Sequence, residues 1–336
     1  MDVLNGLVLL MNFVVVPALS YGSQLALGAL GVTLIYGILR FSNFAHGDTM
    51  AFGTGITILG TWGLQAWGVT LGILPTALLA LPLGILVTMG IVLVTDRVVY
   101  RFYRRQRARP VILVIASVGV MFIMNALTRF IIGTDDRAFA DGPRFLVNAP
   151  AFKAATGLDE GLSIKATAAL TVVVAVIAVG LLFWFLNSTR TGKSMRAYSD
   201  NEDLALLSGI NPERVVTITW IIATTLAVTA GVLYGLDKSF RPFNYYALLL
   251  PTFAAAIVGG LGNPLGAIAG GFLIAFSEVS FTYAFKKVVG YLTPGTWEPP
   301  GLVQLLSTDY KFAVSFTILI IVLLFRPTGI FRGKSA

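Results

Sequence analysis

Polar side chains are scarce in this chain, and the few that interrupt its apolar stretches mark where chemistry could occur. Asn43-Phe44-Ala45-His46-Gly47-Asp48 is a polar break between two apolar runs. It holds the chain's one histidine, a group that titrates near neutrality. Lipid would leave these groups without hydrogen-bond partners, so the break must line protein or water. Each side chain has two readings. His46 is a pathway group, or it bonds backbone and holds a turn that Gly47 permits. Asp48 is a pathway carboxylate, or it caps the helix that follows, the commoner role. Glu278 lies about midway along a late apolar run, and Asn125 lies in an earlier one. A carboxylate inside a bilayer costs roughly 2.5–3.5 kcal/mol or more, so Glu278 must face a cavity or a partner helix. Asn125 reads as a hydrogen-bonded tie between helices, and Arg129, one turn further, can snorkel to the interface. Asn43, His46, Asp48, Asn125 and Glu278 are therefore the candidate substrate pathway.

Enzyme chemistry is poorly provided for. The absence of cysteine excludes disulfides, thiolate-held zinc and iron–sulfur clusters. One histidine argues against a metal site, and the acids are scattered rather than clustered. No catalytic residue, metal or cofactor is expected. Gly192-Lys193-Ser194 and Gly333-Lys334-Ser335 do not complete a phosphate loop, because Asn187 and Thr328 stand where its first glycine is required.

The elements that must position these groups follow from composition. The chain of 336 residues is 56% hydrophobic and 12% charged, with a mean hydropathy of +0.83. Soluble domains carry about 25% charged residues, so bilayer is the solvent this surface suits. Apolar runs place spans at Tyr21–Leu39, Thr49–Trp67, Leu71–Thr95, Val111–Ile132, Ala166–Leu186, Val215–Leu236, Ala247–Leu261, Gly266–Phe285 and Phe312–Phe325. The seventh and ninth are short against the ~20 residues of a full span. Barrel strands alternate, and these runs do not. The predicted fold is an all-α, polytopic transmembrane helix bundle of eight to nine spans. The first 20 residues lack a basic region and carry Asp2, so they read as a lead-in to the first helix rather than a cleavable signal.

Orientation follows from basic residues. Arg97–Arg109 holds six arginines and no acid, which places it in the cytoplasm. Alternation then puts Asn187–Arg214 and the tail Arg326–Ala336 inside, and Gly133–Lys165 and Lys286–Lys311 outside. The net charge of +8 sits in short loops, suiting anionic lipid rather than nucleic acid. Neither long polar segment is large enough to fold alone. Residues 1–336 thus read as one transmembrane domain without a nucleotide-binding domain.

Asn187–Arg214 is the most patterned of the inner loops. Asp203–Gly209 reads as one or two helical turns, with Asp203 near the positive end of the dipole. Gly209 supplies a left-handed terminus, and Pro212 restarts the chain. A short amphipathic helix at the membrane face suits docking into a groove on a partner, and a folded loop without a partner is the plainer alternative. Gly262, Gly266 and Gly270 recur every four residues, with Gly259, Gly260 and Gly271 beside them. They form a bare face that lets another helix approach, and Pro264 makes a turn between two half-spans.

Three stretches carry a family resemblance. Met195–Gly235, MRAYSDNEDLALLSGINPERVVTITWIIATTLAVTAGVLYG, resembles the coupling segment and following helix of ABC importer permeases of the high-affinity branched-chain amino acid family. The family's pattern is an acid, two alanines, a glycine six residues after the acid, then Ile-Asn. Asp203, Leu204, Ala205, Gly209, Ile210 and Asn211 occupy those places, with Asp for Glu and Leu204 for the first alanine. Leu25–Gly53, LALGALGVTLIYGILRFSNFAHGDTMAFG, resembles the first helix and its Asn-Phe-Ala-His-Gly motif. Phe253–Gly271, FAAAIVGGLGNPLGAIAGG, resembles the late glycine-rich hairpin that includes Gly259, Gly262, Gly266 and Gly270. Their order resembles the first of the two related permease chains.

The resemblance implies a permease that moves branched-chain or other hydrophobic amino acids into the cytoplasm by alternating access. It implies a second homologous permease chain, two ATP-binding subunits and a periplasmic solute-binding protein, with coupling through residues 195–214. It also implies a multi-pass protein of the bacterial inner membrane, with its C-terminus in the cytoplasm. Urea or short-chain amide permeases share much of this pattern. An ion-coupled secondary transporter is a further alternative, weakened because Glu278 is the one good mid-membrane carboxylate for an ion.

Overall fold

The computed structural model describes residues 2–72, 74–139, 145–292, 301 and 303–331. Residues 1 and 73, parts of the 133–165 and 286–311 segments and the last five residues lie outside the described residues. The first helical run has two α-helical pieces, α1 (Asp2–Leu10) and α2 (Val16–Leu39), joined by a π-helical turn at Met11–Val15. The wide turn falls just before Pro17, whose missing N–H and ring would otherwise break an α-helical ladder. The lead-in is therefore helix continuous with the first span, and 38 residues make the run roughly 57 Å long, well beyond a bilayer core.

Next come α3 (His46–Ala66) and α4 (Ala77–Thr95), the latter continuing through a π-helical turn, Asp96–Tyr100, into α5 (Arg101–Arg105). The sequence reading ended the third span at Thr95 and left the arginine cluster as loop. In the structure the helix runs on to Arg105, because Arg104 folds back onto Asp96 and anchors the added turns. The span also starts later than Leu71, at Ala77, after Pro75. α6 (Pro110–Ile132), α7 (Ala149–Thr156), α8 (Ala166–Ser188), α9 (Arg190–Asp200) and α10 (Glu202–Leu207) follow. Then come α11 (Pro212–Asp237), α12 (Pro242–Gly259), α13 (Pro264–Thr282), α14 (Lys286–Leu292) and α15 (Lys311–Phe325). The seventh span is longer than its apolar run suggested, since residues 242–246 join it. A small antiparallel pair, Phe145–Val147 with Ile164–Lys165, frames α7.

Among the described residues, eight helices are long and apolar enough to cross a membrane. α3 is the ninth expected span. Its 21 residues suffice in length, but its threonines and glycines dilute its apolarity. Those threonines are buried at no polar cost: Thr49, Thr54, Thr57 and Thr61 each donate to the carbonyl four residues earlier.

α2 is buried along nearly its whole length, enclosed by α8, α11, α12 and α13. α3 packs against α4, α6, α11 and α12. Small residues permit this closeness. A Cβ on Gly259 would collide with the backbone of Gly266, and one on Gly270 with the Ala255 carbonyl, so α12 and α13 meet backbone to backbone. Gly262, at φ +83°, lies in the turn between them and approaches Gly37 of α2.

Loops gather at two ends. At the arginine-rich end, Arg40 Nη2 donates to the Ser199 carbonyl at 2.8 Å, and Asn263 Nδ2 donates to the Phe331 carbonyl at 3.0 Å. At the far end, Asn5 and Asn12 bond residues 159–163, and Tyr291 donates to Glu160 at 3.1 Å. Arg241 there pairs with Asp136.

Candidate functional site

The polar break turns back into the bundle. After Arg40, in a left-handed conformation at φ 55°, the chain re-enters and α3 begins beside the middle of α2. His46 is buried, and its Nε2 lies 3.1 Å from the Gly28 carbonyl. Gly31 leaves the space for the ring, since a Cβ there would stand 2.6 Å from His46 Cε1. Asn43 Oδ1 accepts from the Ala45 N–H and the Tyr100 hydroxyl, both at 3.2 Å. Phe44 N–H donates to Ser117 Oγ of α6 at 3.1 Å. The break is thus tied to α2, α6 and the end of the α4 run.

Asp48 does not cap α3. The helix starts two residues earlier, with Ala45 at the N-cap position and no side-chain cap. Asp48 therefore falls in the first turn, where a carboxylate suits the dipole. Its Oδ1 accepts from Asn125 Nδ2 of α6 at 2.7 Å. Glu278 lies apart from these groups, near the far end of α13. It is 0% exposed, accepts from Ser315 Oγ, and pairs with Lys311 Nζ at 3.3 Å. Lys311 in turn sits 3.7 Å over the Tyr21 ring. Glu278 thus ties α13 to α15, while Asn43 and His46 line one small cavity and Asp48 and Asn125 another.

Sequence reasoning missed the group that joins this break to the arginine-rich end. Asp96, in the π-helical turn after α4, accepts from Trp220 Nε1 of α11 at 2.8 Å. It also receives Arg104 in a two-pronged contact at 2.5 and 3.1 Å. Glu213, in the first turn of α11, pairs with Arg101 at 3.2 Å and with Arg104 at 3.9 Å. Trp220 stacks on Tyr100 at 5.3 Å and 13°, and Tyr100 donates to Asn43. A continuous chain of contacts runs from Glu213 to the polar break. It ends at a cavity of about 20 Å³ lined by Asn43, His46, Tyr100, Trp220 and Thr224, room for about one water. The one local hint was Asp96, an acid at the end of an apolar run with an arginine eight residues on.

The segment before Glu213 folds as two short helices. Thr189 caps α9 by accepting from Gly192 N–H, and Asn201 caps α10 by accepting from Leu204 N–H. The sequence reading placed helix only at Asp203–Gly209, so α9 is an addition. Asp203 lies in the first turn of α10, Gly209 follows its end at φ +80°, and Asn211 caps α11. Ser199, in α9, donates to the Gly37 carbonyl at 3.0 Å, which fixes α9 to α2. Tyr198 donates to Glu202 at 2.6 Å, and burial together with that carboxylate raises the phenol's pKa above its usual value. Ala205 is buried, whereas Leu204 and Leu207 of α10 are 62% and 86% exposed. Ile210 is half-buried against the apolar cluster at this end. The arrangement places an exposed apolar turn outside the bundle, joined through a chain of contacts to polar groups inside it.

Known proteins match this chain over nearly its full length. The permease LivH of the high-affinity branched-chain amino acid transport system of Escherichia coli K12 is 30% identical over 313 residues, covering 92% of this chain and 91% of LivH. BraD of Pseudomonas aeruginosa, a permease of the same kind of system, is 30% identical over 323 residues, covering 94% of both chains. A probable LivH of Methanocaldococcus jannaschii is 28% identical over 322 residues, covering 93% of this chain and 90% of its own. No solved structure matches. The family model described as branched-chain amino acid transport system / permease component matches residues 14–323. With that match spanning the helix bundle, the polar break and the α9–α11 segment, the chain belongs to the branched-chain amino acid transport system permease family.

Proposed function

We propose that this chain is the membrane permease of an ATP-driven importer of branched-chain amino acids. It works with a second permease chain, two ATP-binding subunits and a periplasmic solute-binding protein. The arginine-rich end, with the C-terminus, faces the cytoplasm, because cationic loops are retained there. The far end, with α1, α7 and α14, receives the binding protein. The protein itself performs no hydrolysis.

One observation supports this most strongly. α10 presents Leu204 and Leu207 to solvent beside the point where Glu213 grips Arg101 and Arg104. A six-residue amphipathic helix of this kind seats in a groove on a partner. Movement of the partner shifts the start of α11, and the Asp96–Trp220–Tyr100–Asn43 contacts carry the shift to the break beside α2. Alternating access then follows as a rigid-body reorientation of helices.

The test is ATP-dependent leucine uptake by membranes holding the assembled transporter and its binding protein. Gly209→Pro is the decisive variant, since proline requires φ near −65° and position 209 stands at +80°. ATP hydrolysis should persist while uptake falls at least tenfold. Uptake by Gly209→Pro at the normal rate would sink the docking role of α10. Uptake that survives ATP depletion under an ion gradient would sink the ATP-driven mechanism.

A further inference from the structure

We infer that the pocket between the first turn of α3, the outer half of α6 and the start of α12 is one wall of the site that receives the transported zwitterion. The inference rests on the reading of the chain as an amino acid permease, and it names the groups that would hold the solute.

The starting point is an orphaned atom. Asp48 is 0% exposed, and its Oδ1 is occupied by Asn125, but its buried Oδ2 has no hydrogen-bond partner. A carboxylate oxygen in that state is strongly destabilised unless a donor arrives. Asn125, half-buried, lines the same open pocket as Asp48. Arg129 follows four residues on, on the same face of α6. Its guanidinium is exposed, and among the described residues no carboxylate lies within ion-pair distance of it. An anionic group on α3 and a cationic group on α6 thus line the same pocket without forming an ion pair with each other.

Phe122, Phe243 and Tyr246 supply the remaining wall, enclosing about 180 Å³. The chemistry matches an α-amino acid with an aliphatic side chain. The ammonium donates toward Asp48 and the Asn125 carbonyl, the carboxylate accepts from Arg129, and the side chain lies on the aromatic rings. A neutral amide such as urea would bring no charge to either group. The space is below the ~300 Å³ at which binding pockets begin, and its aromatic rim is open. As one wall of a site, it leaves the open side for the second permease chain of the proposed transporter to close.

The absence of cysteine makes the test direct. Phe243→Cys places a single thiol at the mouth, and its modification by a methanethiosulfonate reagent is followed on this chain within the assembled transporter. L-leucine should slow the reaction at least threefold. Leucinamide, which lacks the carboxylate, and 4-methylpentanoate, which lacks the ammonium, should not. Adding Arg129→Gln, at the exposed rim where folding is little affected, should abolish protection by leucine. Tyr246→Cys repeats the measurement should Phe243→Cys fail to assemble. A rate that leucine leaves unchanged overturns the site, as does equal protection by urea or 4-methylpentanoate, or protection that survives Arg129→Gln. Uptake measured on the same membranes separates the two levels of argument. Leucine uptake without protection removes the pocket and leaves the permease reading intact. No leucine uptake by the unaltered chain removes both.

Discussion

Asp96 is held by donors from two directions, the guanidinium of Arg104 and the indole of Trp220. A buried pair is a poor source of net stability, yet breaking one leaves a stranded charge at a cost of about 3–5 kcal/mol. Asp96→Ala should therefore lower the thermal midpoint of the purified permease more than Asp96→Asn, which still accepts from Trp220. Leucine uptake should fall in both variants, since the link from Glu213 to Tyr100 is cut or slackened. His46 makes a contrasting case. Gly31→Ala would push on its ring, an overpacking of about 1–3 kcal/mol. Thermal denaturation of Gly31→Ala, His46→Ala and the double variant should show that the second substitution relieves the first. Asn125 differs again. Hydrogen bonds between membrane helices average about 0.6 kcal/mol. Asn125 bonds a buried carboxylate, however, so Asn125→Leu leaves both Asp48 oxygens without a donor, costs about 1–3 kcal/mol or more, and should lower the thermal midpoint of the purified permease.

At the scale of the element, the α12–α13 hairpin depends on bare backbone. A side chain at Gly270 meets the Ala255 carbonyl, which is main chain and cannot rotate away. Gly270→Val should separate the two helices and lower the yield of folded permease on size-exclusion chromatography, whereas Gly290→Val, which meets open space, should not. This hairpin was legible in the sequence, because glycines at a spacing of four interrupted by a proline leave few other structures. The spans were legible for a similar reason, since lipid imposes a long apolar run on each. α9 was not. Its Gly192, Met195 and Tyr198 are buried only because α8, α2 and α11 close over them, and the eight polar or small residues around them give no apolar stripe to read. Asp96 and Trp220 were equally hidden. They stand 124 residues apart, and no local periodicity announces a bond that only the packing of α4 on α11 creates. The polar break was visible as a sequence, but not that it folds inward, nor that Asp48 turns from the helix end toward Asn125.

On the scale of the whole molecule, charge and packing agree on two unlike ends. The arginine-rich end carries the exposed turn of α10, and the far end carries a clasped cap of short helices. Opposite sidedness is directly measurable. Gln106→Cys and Lys153→Cys are both exposed positions in a chain without other thiols. An impermeant thiol reagent added outside intact cells should label Lys153→Cys and reach Gln106→Cys only after permeabilisation. Labelling of both from one side would undo the proposed orientation.

The cap also dictates an order of assembly. Asn5 is wholly enclosed when folded, but its partners are Asp159 and Glu160, and the helix beside it is α14. At ~5–20 residues per second, a ribosome delivers Tyr291 roughly 15 s to a minute after Asn5. Through about the first half of that interval, until Asp159 and Glu160 emerge, α1 waits at the membrane with an unsatisfied amide, and through the second half it still lacks α14. α1 is thus made early and locked late, and a chain cut short before residue 286 would keep its bonds to residues 159 and 160 but lose the helix that packs beside it.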